Sequence, residues 1–135
     1  MTYPFSTLPA MRDNASSRDR YLLEPLVYDD GTYRACLPAG FWSDGASVPR
    51  IFWSIFPPWG KYTRCALLHD YLYSLGASLW FNERRTPITR PLADAMLRRA
   101  MIHSRCGKRE AWLFWCAVRV GGGNGFQKYS VEWKP

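Results

Sequence analysis

The stretch that most constrains the fold is Thr63 to Leu75, TRCALLHDYLYSL, which is apolar enough to demand burial yet carries His69 and Asp70 side by side. Its composition predicts a helix, with Gly76 as the C-cap. Burying an imidazole and a carboxylate without partners is costly, so the pair must be satisfied inside the fold or bind something. Consecutive helical residues point about 100° apart, so the two cannot share the centre of one buried stripe. They can straddle it.

The chain has 135 residues, the size of one domain with a core of its own. A hydrophobic fraction of 47% with 16% aromatics argues against disorder except at the ends. Residues 1–20 read as an irregular arm. Tyr21–Tyr28 and Thr32–Leu37 read as strands joined at Asp29-Asp30-Gly31, with Pro25 marking an edge strand or bulge. Phe41-Trp42 can add a third short strand. Ser43–Gly60 contains Gly45, Pro49, Pro57, Pro58 and Gly60, which break any long element, so an ordered loop is expected there.

Ala77–Thr86 reads as a second loop. Thr89 can cap a helix over Arg90–Ser104, with Pro91 in its first turn, and Asp94 begins the apolar stripe of that helix. A third helix is expected over Lys108–Val120. Residues 122–135 then form a Gly-rich joint and a closing strand over Lys128–Trp133. These readings sum to a single α+β domain, a small antiparallel sheet from the N-terminal third packed with three helices.

The formal charge is +7, concentrated in Arg84, Arg85, Arg90, Arg98, Arg99, Arg105, Lys108 and Arg109. This permits attraction to nucleic acid, an anionic cell-wall polymer or an acidic partner, and a solvated basic face is the plainer account. No recognised nucleic-acid-binding motif accompanies it. Cys36, Cys65, Cys106 and Cys116 show no C-x-x-C spacing, so unpaired thiols in a reducing compartment are expected. The N-terminus lacks the pattern of a signal peptide, and the longest apolar run, Ala111–Val118, is too short to span a bilayer.

If the first two helices pack side by side, Asp94 can approach His69 and Asp70, with Asp44 on the preceding loop completing a cluster. One imidazole with two or three carboxylates suits a divalent ion, Zn or Mg/Mn, that activates water; His69, Asp70 and Asp44 are then the acid-base candidates and Asp94 a fourth ligand. The competing reading is a lock between loop and helix, with Asp70 capping or bonded to backbone in the Asp44 loop and His69 donating to a carbonyl. Cys65, four residues before His69, has zinc-ligand spacing but fits better as a small core residue. Ser47 lacks a nucleophile elbow and reads as a cap or turn residue.

The run Trp42-Ser43-Asp44-Gly45-Ala46-Ser47-Val48-Pro49, then Trp53, Gly60 and Tyr62, then Ala66 to Tyr73, then Ala93-Asp94, Met101, Val118-Arg119 and Gly121 resembles the uncharacterised phage-related domain of tailed phages and prophages. The likeness spans residues 40–121, with Ser43 where a threonine is expected. It implies a phage or prophage origin and synthesis in the bacterial host cytoplasm, but no defined activity. Two functions follow as expectations. One is a small metal-dependent hydrolase acting on a cell-wall peptide or phosphoester during infection. The other is a non-enzymatic virion or tail component that docks on other phage structural proteins or an anionic cell-wall polymer.

Overall fold

The computed structural model describes residues 4–6, 11–13, 20–43, 62–121, 126–127 and 130–131. Residues 44–61, on which the loop expected over Ser43–Gly60 falls and with it Asp44 and Ser47, lie outside the described residues. Within them the order is β1 (Met11–Asp13), β2 (Arg20–Leu22), β3 (Leu26–Asp29), β4 (Tyr33–Leu37), β5 (Trp42–Ser43), α1 (Thr63–Tyr73), β6 (Leu79–Phe81), β7 (Arg84–Thr86), α2 (Arg90–His103) and α3 (Lys108–Gly121). This is the expected α+β arrangement, with the strands divided between two antiparallel sheets, β1-β2-β5 and β3-β4-β6-β7.

The division happens at Pro25. The single strand expected over Tyr21–Tyr28 breaks at Leu23–Pro25, and its halves join different sheets. β3 and β4 pair from Leu26↔Leu37 to Asp29↔Arg34, and period-two alternation buries Leu26, Tyr28, Ala35 and Leu37 on one face. The turn between them is held by Asp30, whose Oδ1 accepts from the backbone N–H of Thr32 (2.9 Å) and of Tyr33 (2.8 Å).

The loop expected over Ala77–Thr86 is instead the hairpin β6–β7, in register from Leu79↔Thr86 to Phe81↔Arg84. Its two turn residues, Asn82 and Glu83, both take left-handed backbone angles, φ 47° and 67°, which match the right-handed twist of the flanking strands. β6 adds to β4, with the Tyr33 and Phe81 rings 4.9 Å apart.

α1 is the central helix, buried through Cys65, Ala66, Leu67, Leu68, His69, Tyr71, Leu72 and Tyr73. A helix apolar on all sides needs neighbours on all sides. β3 and β4, α2 (Met96, Leu97, Met101) and α3 (Phe114, Val118) join it in one core cluster. It ends at Tyr73, earlier than expected, with Ser74 as the cap; Gly76 turns the chain beyond it at φ 91°. α2 starts as its sequence suggests, Thr89 Oγ1 accepting from Leu92 N at 3.3 Å with Pro91 in the first turn. Of the expected closing strand, Ser130 and Val131 are described; Ser130 bridges in parallel to Leu75, and the Val131 N–H donates to the Leu75 carbonyl at 3.0 Å.

Candidate functional site

Asp94, one turn into α2, is fully buried, and donors from two other helices converge on it. His69 Nε2 on α1 lies 2.7 Å from Oδ1, and the Tyr73 hydroxyl donates to the same oxygen at 2.5 Å. Arg119 on α3 donates from Nη1 to Oδ2 at 2.9 Å. Arg90, one turn before Asp94 on α2, brings its Nε within 3.9 Å of Oδ2 and donates to the Tyr73 hydroxyl at 3.3 Å. The Arg90 Nη2 also donates to the carbonyls of Val118 (3.0 Å) and Arg119 (2.6 Å), satisfying acceptors that the end of α3 leaves open.

The geometry follows from helix spacing. His69 and Tyr73 are four residues apart, so both side chains leave α1 on one face; their rings lie 4.2 Å apart between centroids. Since the carboxylate can only accept, Nε2 is the donor and the imidazole is fixed in that tautomer. The other ring nitrogen, Nδ1, is buried and has no hydrogen-bond partner among the described residues.

Burial alone would raise the Asp94 carboxyl, but hydrogen bonds from His69, Tyr73 and Arg119 outweigh it and hold the group below the usual carboxylate range. Tyr73 is pushed up, by burial first and then by the adjacent Asp94. The centre is therefore an anion enclosed by an imidazole, a phenol and a guanidinium, with a second guanidinium beside it.

His69 and Asp94, expected to meet, do meet. Asp70 turns elsewhere: its Oδ2 accepts from the Ser43 hydroxyl, and Ser74 Oγ donates to its backbone carbonyl at 2.8 Å. The expected lock has Asp70 capping or bonded to backbone in the Asp44 loop and His69 donating to a carbonyl. The described partners are instead the hydroxyl of Ser43, the last described residue before Asp44, and the Asp94 carboxylate. Asp44 itself lies outside the described residues. The described residues contain no group of three or more His, Cys, Asp or Glu side chains arranged to hold a metal ion. Cys65 is buried beside Ser104, Sγ to Oγ 3.8 Å.

Three members of the centre were not assigned from sequence. Tyr73 and Arg90 could have been found, each lying one helical turn from an assigned residue. Arg119 stood only among the residues that carry the family resemblance and gave no spacing signal, because only the packing of α3 on α2 brings it to Asp94.

Fold and centre together define a small α+β domain whose three helices are joined by a buried His–Asp–Arg network. The family model described as a protein of unknown function (DUF1353) matches residues 21–118, and the chain belongs to that family. No curated protein and no solved structure matches it.

Proposed function

We propose that the chain is a non-enzymatic component of a tailed-phage particle, made in the bacterial host cytoplasm and assembled into the virion or tail. In this reading the His69–Asp94 centre is a lock between helices. The observation that carries it is the saturation of Asp94: both oxygens accept, and its counter-charge is already supplied by Arg119 at 2.9 Å with Arg90 at 3.9 Å. A divalent ion on this carboxylate would face two guanidinium groups, an unfavourable arrangement in a buried site. The phage assignment is supported by the likeness of the Trp42–Pro49 and Ala66–Tyr73 runs to the phage-related domain. Mass spectrometry of purified particles from the encoding genome tests it, with a fixed copy number per particle expected; absence from the particle sinks the reading.

A second reading, a small metal-dependent hydrolase cutting a cell-wall peptide or phosphoester, is favoured by one atom. His69 Nδ1 is buried without a partner among the described residues, while Asp94 orients the ring from its other nitrogen. A carboxylate behind a histidine is the usual support for a metal ligand or a general base. Asp44 and Asp70 would be the carboxylates to complete the ligand set, and the ion would supply an activated water. Elemental analysis of the wild type beside Asp70→Ala separates the two readings. Stoichiometric metal lost in the variant favours the hydrolase; equal and negligible metal in both favours the particle component.

A further inference from the structure

α2 and α3 run antiparallel through the short turn 104–107, and two contacts fix their relative register. Arg119 Nη1 bonds Asp94 Oδ2 at 2.9 Å, and the Arg98 guanidinium carbon lies 5.9 Å from the centroid of the Trp115 ring. The second contact is four residues further along α2 and four residues back along α3, so the two are successive rungs on one side of the hairpin. The next rung sets Ile102 level with Ala111–Trp112, and Arg105 and Lys108 lie in and just after the turn that closes the hairpin.

This side is open. Trp112 is 49% exposed and Ile102 39%, and Arg98, Arg105 and Lys108 are exposed as well. Trp115 is half-buried beside Arg98. Apart from buried Asp94, the two helices carry one acidic residue, Glu110. The result is a strip of three cations interleaved with two indoles.

Charge and size select the occupant. A second copy would set like charges face to face on a chain of net charge +7. A helix of 14 residues is about 21 Å long, and packed helix axes lie about 10 Å apart, so the strip is on the order of 200 Å². A stable protein partner needs roughly 800 Å² per side. A narrow cationic track with exposed rings suits a single strand instead, because phosphates take the Arg and Lys donors and every base offers a π-face to an indole.

We propose that this side of the α2–α3 hairpin binds single-stranded nucleic acid, with Arg98, Arg105 and Lys108 on the phosphates and Trp112 and Trp115 stacking on bases. Binding is sequence-tolerant, since stacking and charge read no base edge. The proposal does not depend on whether the chain is a particle component or a hydrolase.

The test is fluorescence anisotropy of a labelled oligothymidylate, on the order of 16 nucleotides long, titrated with the full chain. Affinity is expected to fall about tenfold or more between roughly 50 and 200 mM salt. Trp112→Ala should weaken binding on the order of tenfold. Arg98→Ala should flatten the salt slope by roughly one. Both replace exposed side chains, and an unchanged melting temperature confirms that each variant is folded. An Arg84→Ala, Arg85→Ala double variant removes two exposed charges from the β6–β7 hairpin and should bind like the wild type. Three results overturn the proposal: no binding at low salt; an equal loss in the Arg84, Arg85 variant, which reports net charge alone; or polyglutamate or a polyol-phosphate cell-wall polymer binding as tightly with the same dependence on Trp112.

Discussion

Asp94 carries a full charge at zero exposure, and it can do so because each of its oxygens is bonded. Asp94→Asn tests the idea directly. The amide keeps one acceptor oxygen and turns donors toward either His69 and Tyr73 or Arg119, leaving a buried group unpaired. We expect a loss of about 3 kcal/mol in the free energy of unfolding, measured by urea denaturation. In a double-mutant cycle with His69→Ala, the coupling should exceed about 1 kcal/mol; strict additivity would mean that the two side chains do not stabilise one another. This pairing was legible in the sequence because an imidazole in an apolar helix needs an acceptor, and Asp94 begins the apolar stripe of the helix expected to pack beside it. Asp70, adjacent to His69 in sequence, was expected to straddle the buried stripe with it. The 100° step between them lets Asp70 accept from the Ser43 hydroxyl while His69 meets Asp94.

The β6–β7 hairpin is the element that the sequence concealed. Leu79-Trp80-Phe81 is too short to display a period, and the turn Asn82-Glu83 lacks the glycine that marks such hairpins. Asparagine tolerates φ 47°, but glutamate at φ 67° sits where its Cβ crowds the following carbonyl. Glu83→Gly removes that strain at an exposed position. It should stabilise the protein by about 0.5–1 kcal/mol and raise the melting temperature by a few degrees. A lower melting temperature in the variant would show that the Glu83 side chain makes a contact worth more than the strain. By contrast, the start of α2 was legible to the residue, because a threonine cap and a first-turn proline are local signals. The split of Tyr21–Tyr28 between two sheets was half legible: Pro25 marked the break, but which sheet each half joins is decided by long-range pairing.

Two buried carboxylates tie the molecule together, and both act through α2. Asp94 joins α2 to α1 and α3, while Asp30 joins it to the β3–β4 turn: Arg99 Nε donates to Asp30 Oδ2 at 2.6 Å, and the Tyr28 hydroxyl donates to the same oxygen at 2.5 Å. Burial raises the Asp30 carboxyl, but Arg99, Tyr28 and the N–H groups of Tyr33 and Thr32 outweigh it and bring it down to about 2. In the unfolded chain a free aspartate titrates near 3.9. Folded values below the unfolded one mean that the stabilisation is complete above about pH 4 and is lost as pH falls toward the folded values, about 2 for Asp30. Asp30 should contribute about 1–2 kcal/mol of that loss, less than its full shift because Arg99 remains partly solvated. Self-repulsion of the basic chain also grows in acid, but it acts on every variant alike. Asp30→Asn should therefore be less stable than the wild type at neutral pH and converge on it near pH 2, followed by urea midpoints across that range. Parallel curves for the two proteins would mean that the Asp30 bonds do not set the acid sensitivity, and that Asp94 alone holds the helices against it.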